Sequence, residues 1–234
     1  MPGMLAVCGS RRRGAISDRV DRILSRADRM GTGLMLTLLN INCMTFMATQ
    51  PDGAFDLAIV DPEFGIGIGR SARLVTDKGL PAKEWDDKPI SQGYFTELFR
   101  VSVNQIIWGG NYYALPPTKH CIVWDKLQPE SLSFGMFDYA WTSFKTANKM
   151  FRRSVRLDSR THPAQKPVAL YKWLLENYAK PGQRVLDTHL GSGSSAIAAH
   201  YYGVEFVGCE KDTEHFNDAV KRVNEQTRQL RLFN

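Results

Sequence analysis

Short apolar runs alternate with stretches of helical periodicity along most of the chain. The runs Met35–Leu39, Asp56–Asp61, Gln105–Trp108, Cys121–Trp124, Tyr139–Phe144, Arg184–Asp187 and Glu205–Cys209 have the length and the β-branched or aromatic content of buried strands. Ser91–Val103, Pro167–Tyr178, Ser194–Tyr201 and Thr213–Gln229 read as helices, and Pro167 suits a first helical turn. Strands separated by helix-length segments predict an α/β fold with a mostly parallel sheet and helices on both faces. Cys121–Trp124 and Tyr139–Phe144 have no helix between them and are expected as an antiparallel hairpin at one edge. Residues 1–34 look separate, a basic arm or extension with an amphipathic helix over Ser17–Met30, and residues 35–234 form the main domain.

The 234 residues suffice for one large domain, and 43% hydrophobic with 23% charged residues is globular composition. No run approaches the roughly 18 apolar residues of a membrane span, so no membrane role and a cytoplasmic location are expected. The cysteines Cys8, Cys43, Cys121 and Cys209 are scattered without CxxC spacing, which argues against a disulfide framework and a zinc site. No metal is expected.

Net charge is +6, and its distribution says more than its size. Residues 1–34 carry seven Arg against three Asp, and residues 145–166 carry seven Lys and Arg against Asp158 alone. The rest of the chain is mildly acidic. Two basic segments on an acidic body suit a polyanionic partner, although solvated basic faces have the same look.

Three segments carry candidate chemistry. Asp187-Thr188-His189-Leu190-Gly191-Ser192-Gly193-Ser194-Ser195 follows an apolar strand and opens a helix. Such a turn lets a ligand approach the backbone, and Glu210, at the end of the next strand, is placed to accept from ribose hydroxyls. The plain alternative is a tight strand–helix connection with a surface Glu. Asp61-Pro62-Glu63-Phe64-Gly65 follows the strand Leu57–Val60. An exocyclic amine is a poor nucleophile because its lone pair is delocalised into the ring. A carboxylate (Asp61) and a carbonyl (Pro62) aimed at its N–H groups favour the nucleophilic form, and Phe64 can stack on the base. On its own, Asp-Pro can simply end a strand. Third, His162-Pro163-Ala164-Gln165-Lys166-Pro167 opens a helix and offers Lys166 to a carboxylate.

Taken together, these segments resemble the amino-methyltransferases of DNA in their permuted, β-type order, where the catalytic tetrapeptide precedes the cofactor turn. Asp61–Phe64 matches the D-P-P-Y element. Gln105–Tyr113 and Cys121–Lys126 match the next two strands, Tyr139–Ser143 the hairpin, and His162–Pro167 with Asp187–Ser195 the cofactor side. The resemblance spans about residues 35–223. It implies a Rossmann-like seven-stranded sheet, S-adenosylmethionine as methyl donor and DNA as partner, with a homodimer as a further candidate association. Asp at position 61 resembles the adenine-N6 branch. The alternatives are cytosine-N4 methylation and a non-catalytic nucleic-acid-binding relative.

The implied catalytic residues are Asp61, Pro62 and Phe64. The implied cofactor-binding residues are Lys166, Asp187, Gly191, Ser192, Gly193, Ser194 and Glu210. A recognition domain usually follows the hairpin in this family. Here residues 146–161 offer only a short basic loop, whose Lys149, Arg152, Arg153, Arg156 and Arg160 are expected on DNA phosphates, with Ile66–Ser91 as a second candidate. The chain departs from the pattern in four places. Glu63 stands for the second Pro, Phe64 for Tyr, Thr188-His189 for Pro-Phe, and Asn42-Cys43 where an acidic residue is usual. His189 is read either as packing on the cofactor or as a helix-entry residue.

Overall fold

The computed structural model describes residues 4–8, 36–66, 90–131, 135–154 and 165–228. In chain order the elements are β1 (Met4–Cys8), β2 (Leu36–Asn40), α1 (Cys43–Met47), β3 (Phe55–Val60), α2 (Gln92–Val101), β4 (Ser102–Trp108), β5 (Cys121–Asp125), β6 (Phe137–Thr142), β7 (Lys149–Arg152), α3 (Val168–Tyr178), β8 (Arg184–Asp187), α4 (Ser194–Tyr202), β9 (Glu205–Glu210) and α5 (Thr213–Arg228). The strands form one sheet in the order β1-β2-β9-β8-β3-β4-β6-β5-β7. Every neighbouring pair is parallel except β4·β6 and β6·β5.

All seven strands read from the sequence are present, and the sheet has nine rather than seven. β1 adds to β2 on one edge, so part of the segment expected as a separate arm lies in the sheet; the helix expected over Ser17–Met30 falls outside the described residues. β7 adds to β5 on the other edge, so the expected basic loop is partly a strand and the hairpin is not the outermost element. The cause is positional. An edge strand with mostly exposed side chains has no reason to alternate apolar and polar residues, and β7 reads Lys-Met-Phe-Arg with Lys149, Met150 and Arg152 exposed.

The central strand β3 is apolar along most of its length because both sheet faces are covered there. Along β3, Leu57 and Ile59 point into one core with Leu170, Leu174, Ala196 and Val223 from α3, α4 and α5. Ala58 and Val60 point into the other, with Phe46, Tyr94, Phe95 and Leu98 from α1 and α2. Helix boundaries moved by a residue or two. α2 ends at Val101 because β4 starts at Ser102, where the backbone turns extended and Ser102 Oγ donates to the Leu98 carbonyl at 2.5 Å.

The chain leaves β3 toward β4 on one side and leaves β8 toward β9 on the other. The crevice at the carboxyl ends of β3 and β8 is therefore the switch point, where open α/β sheets hold their ligands. Gly193 fixes the chain there. It precedes α4 in a left-handed conformation with φ 75°, and a Cβ built on it would lie 2.8 Å from Val223 of α5. Gly193→Ala thus combines strained backbone with overpacking against a fully buried neighbour. A loss of about 2 kcal/mol is expected in thermal or urea unfolding. Unchanged stability would mean that α5 yields freely at this contact.

Candidate active site

Asp61 leaves the end of β3 directly over the switch point. Its Oδ2 accepts a hydrogen bond from Lys166 Nζ. Its Oδ1 is buried and has no hydrogen-bond partner. Burial pushes the Asp61 carboxyl above its ordinary range, and the charge and hydrogen bond of Lys166 oppose that push without cancelling it. Lys166 reaches Asp61 from the extended Gln165-Lys166-Pro167 segment before α3 and is itself buried. Its ammonium lies 5.3 Å from the ring centre of Trp108 and 5.9 Å from that of Phe64. Expected among the cofactor-side residues, Lys166 meets the catalytic-side carboxylate.

Phe64 stacks on Tyr112, with ring centres 5.0 Å apart and planes 18° from parallel. The close approach depends on Gly109. That residue sits at φ 68°, and a Cβ there would lie 2.2 Å from the Phe64 ring. Tyr113 Oη donates toward the carbonyls of Pro62 (3.0 Å) and Glu63 (3.2 Å). The Pro62 carbonyl thus already has one partner and retains one lone-pair direction for another donor. Tyr112 and Tyr113 were legible only as part of a matching strand end; their contacts with the turn carried no local sequence signal.

On the other side of the crevice, the buried Asp187 accepts from Ser195 Oγ at 2.6 Å and from the His189 backbone N–H at 3.0 Å. Burial pushes its carboxyl up to about 6, partly opposed by those two bonds. Glu210 accepts from the Gly191 N–H at 3.1 Å through one oxygen and from the Asp212 N–H at 2.9 Å through the other. It therefore ties the glycine turn to the end of β9, and its partly exposed carboxylate keeps further lone pairs for hydroxyl donors. Arg222 of α5, not foreseen from the sequence, donates to the Ser192 carbonyl at 2.7 Å and to Ser194 Oγ at 3.0 Å. Asn42 caps α1 by accepting from the Met44 N–H at 2.9 Å, and burial pushes the Cys43 thiol up to about 12. Neither supplies a negative charge here.

A family model described as DNA methylase, of the N6/N4 type, matches residues 107–221. YubD of Escherichia coli (strain K12), named as a methylase, is 25% identical over 192 residues, which cover 72% of this chain and 82% of that protein. The crystal structure of the M1.HpyAVI–SAM complex superposes with a TM-score of 0.57 at 19% identity, over 80% of this chain and all of that one. The cytosine-N4-specific PvuII DNA methyltransferase superposes with a TM-score of 0.56 at 10% identity, over 83% and 92% of the two chains. Over residues 107–221 the chain resembles the N6/N4 DNA methylases, and its fold is that of these solved methyltransferases.

Against the motifs of these methyltransferases, the two main departures turn out to be one structure. Glu63, in place of the second proline, pairs with His189 Nε2 at 3.2 Å and with Lys211 Nζ at 2.6 Å. His189 Nδ1 meets Thr188 Oγ1 at 2.9 Å, and Thr188 Oγ1 meets Tyr94 Oη at 2.6 Å. Burial pushes the Glu63 carboxyl up, yet His189 and Lys211 outweigh it and hold the group well below the carboxylate range. Burial pulls the His189 imidazole down, and Glu63 outweighs it, so the ring is easier to protonate than usual.

The residues expected on DNA are more dispersed. Lys149 starts β7 at the end of the sheet away from the crevice and donates to Asn177 Oδ1 at 2.5 Å. Arg152 ends β7 on the crevice side, 3.4 Å from Asp125. The Arg153 carbonyl accepts from Trp124 Nε1 at 3.0 Å. Arg156 and Arg160 lie outside the described residues, as does most of Ile66–Ser91. Among the described residues no helix is long and apolar enough to cross a membrane, and no cluster of three or more His, Cys, Asp or Glu could hold a metal.

Asp187 gives the candidate site a measurable pH signature. Its folded value of about 6 lies above the ordinary 3.8, so between those values the folded state binds more protons than the unfolded one. Stability from this group therefore falls as pH rises from about 4 to about 6, by about 2–3 kcal/mol. Urea unfolding from pH 4 to 7 is expected to show that slope in the wild type and to lose it in Asp187→Asn. Parallel curves for the two proteins would place the proton elsewhere.

Proposed function

We propose that this chain transfers a methyl group from S-adenosylmethionine to the N6 amine of adenine in DNA. The observation that carries the reading is the Asp61 carboxylate: one oxygen held by Lys166, the other buried at the switch point without a partner. A buried acceptor with no donor is costly, and a site that keeps one fits a donor supplied by the substrate. An exocyclic N–H is such a donor. Asp61 Oδ1 accepts it, the remaining lone pair of the Pro62 carbonyl can accept the second N–H, and Phe64 offers a ring face to the base. The likeness to an adenine- or cytosine-directed family supports an amine as the target, and aspartate at position 61 favours adenine.

The cofactor, when bound, supplies an electrophilic methyl group. Glu210 would hold its hydroxyl donors, and the turn over Gly191, Ser192, Gly193 and Ser194, shaped by Asp187 and Arg222, would leave backbone exposed for it. Asp61 draws one N–H of the amine into line and can take the proton that the amine must release, because burial already favours its protonated form. The rings of Phe64 and of the fully buried Trp108 face the Lys166 end of the pair.

Labelled S-adenosylmethionine, unmethylated DNA and digestion to nucleosides test this directly. Label is expected in N6-methyladenine. Label in N4-methylcytosine would reassign the base, and binding of both ligands without transfer would make the chain a non-catalytic relative. Asp61→Ala is expected to cut transfer at least ~100-fold in a chain that still folds, though less stably for the loss of the Lys166 partner, as for removal of one transition-state hydrogen-bond partner. Phe64→Ala should also be damaging and Phe64→Tyr tolerated. Near-normal turnover in Asp61→Ala would refute the assignment.

DNA binding without a recognition domain should rest on phosphate contacts and be weakly selective. Replacing Arg152, Arg153 and Arg156 together is expected to flatten log affinity against log salt by roughly 0.9 per lost duplex contact, similarly on unrelated sequences. An unchanged slope would move the contact surface to another segment, and loss on one short sequence alone would show direct base reading.

A further inference from the structure

We propose that Glu63 and His189 are positioning residues whose side-chain pair locks the turn carrying Asp61 and Phe64 to the turn that opens the glycine-rich segment. The inference rests on the reading of the site above, and concerns what holds its two halves at one separation.

Among the described residues, the backbone of the catalytic turn is held at Pro62 and Glu63 from the flank of Tyr113 and Ile90. Tyr113 Oη donates toward the Pro62 and Glu63 carbonyls, and the Ile90 N–H donates to the Glu63 carbonyl at 3.3 Å. Across the crevice, toward β8 and β9, the side chain of Glu63 makes the connection, through His189 and Lys211. His189 is in turn fixed from behind. Its N–H donates to Asp187, and the next residue, Leu190, donates its N–H to the Cys209 carbonyl at 2.9 Å. A continuous path runs from Asp61 through Glu63 and His189 to Asp187 and Ser195.

The two ends of the lock differ in exposure. The Glu63 and His189 side chains are 13% and 16% exposed, whereas Lys211 is 55% exposed. The Glu63–His189 contact is therefore desolvated and sensitive to geometry, while the lysine is screened by water. The ring is also satisfied in both protonation states. Neutral, it donates from Nε2 to Glu63 and accepts at Nδ1 from the Thr188 hydroxyl, which accepts from Tyr94. Protonated, it donates from both nitrogens, to Glu63 and to Thr188. The charged groups facing this ring are Glu63, Asp187, Glu210 and, across the crevice, Asp61, with Lys211 on the far side of Glu63. A tether that holds through either state suits a positioning role.

The test uses the full chain, S-adenosylmethionine and unmethylated DNA. Glu63→Ala and His189→Ala are each expected to lower kcat at least ~10-fold while moving KM for the cofactor less than ~3-fold. The double variant should fall no more than ~3-fold below the worse single, since both break one tether. Glu63→Gln, which keeps an acceptor for the neutral ring, should recover most of the loss at pH 8.5. Singles within twofold of wild type, multiplicative losses, or KM rising in step with kcat would each overturn the lock. His189 ring titration by NMR gives a readout free of turnover: its midpoint should drop in Glu63→Gln, and an unmoved midpoint overturns the pair. If the wild type methylates no DNA, the proposed function fails, while the NMR result still decides whether Glu63 holds His189.

Discussion

Lys166 gives up water to meet Asp61, and the geometry of the crevice follows from that exchange. An ammonium buried among aromatic rings is tolerable because a carboxylate accepts a hydrogen bond from it and two rings face its charge. The same pairing lets Asp61 stay near the surface of the sheet with one oxygen unused. Removing either partner would leave the other charge buried alone, which costs about 3–5 kcal/mol, so the two residues define each other's position. They come from segments far apart in sequence, the end of β3 and the approach to α3.

Around this pair the site balances its carboxylates differently on its two sides. Asp187 has only neutral donors, from Ser195 and a backbone N–H, and burial keeps its carboxyl raised. Glu63 has His189 and Lys211, and stays ionised deep into acid. Carboxylates a few residues from the same crevice are thus separated in acidity by partners alone. The group that must remain charged to hold a contact is the one given cations. The group that only shapes a turn is given hydroxyl and backbone donors, which serve it in either protonation state.

Much of this arrangement was legible in the sequence, for identifiable reasons. β2, β3 and β8 are buried along almost their whole length, so their apolar runs are nearly continuous and stand out, and β4, β5, β6 and β9 keep apolar stretches long enough to read. Asp61, Asp187 and Glu210 lie at strand ends, where the pattern breaks, and the structure brings all three to one crevice. β7 was missed because its mostly exposed side chains carry no burial pattern, and β1, an apolar run of five, was set aside with the N-terminal segment. α1 was missed because five residues are too short for a helical period; Asn42 as its cap was the available signal. Lys166 was read with the cofactor side because a helix start says nothing about which carboxylate a long side chain will reach. Arg222 was missed since one polar residue on an amphipathic helix looks like any other until its neighbour, the Ser192 carbonyl, is placed.

The departures at positions 63, 188 and 189 looked independent as letters and are one chain of contacts in space. That bears on how they should be judged. A glutamate introduced alone beside a buried catalytic turn would be an uncompensated charge, and a lone histidine in the opposing turn an unsatisfied one. Occurring together, with Thr188 and Tyr94 completing the ring's partners and Lys211 offsetting the charge, each removes the penalty of the others. A motif letter that departs from its family is evidence of decay only when its neighbours have not moved with it. Here the neighbours have moved, and Asp61, Pro62 and Phe64 are left with the surroundings a turn of this kind needs: a buried cation, an aromatic floor and a fixed flank.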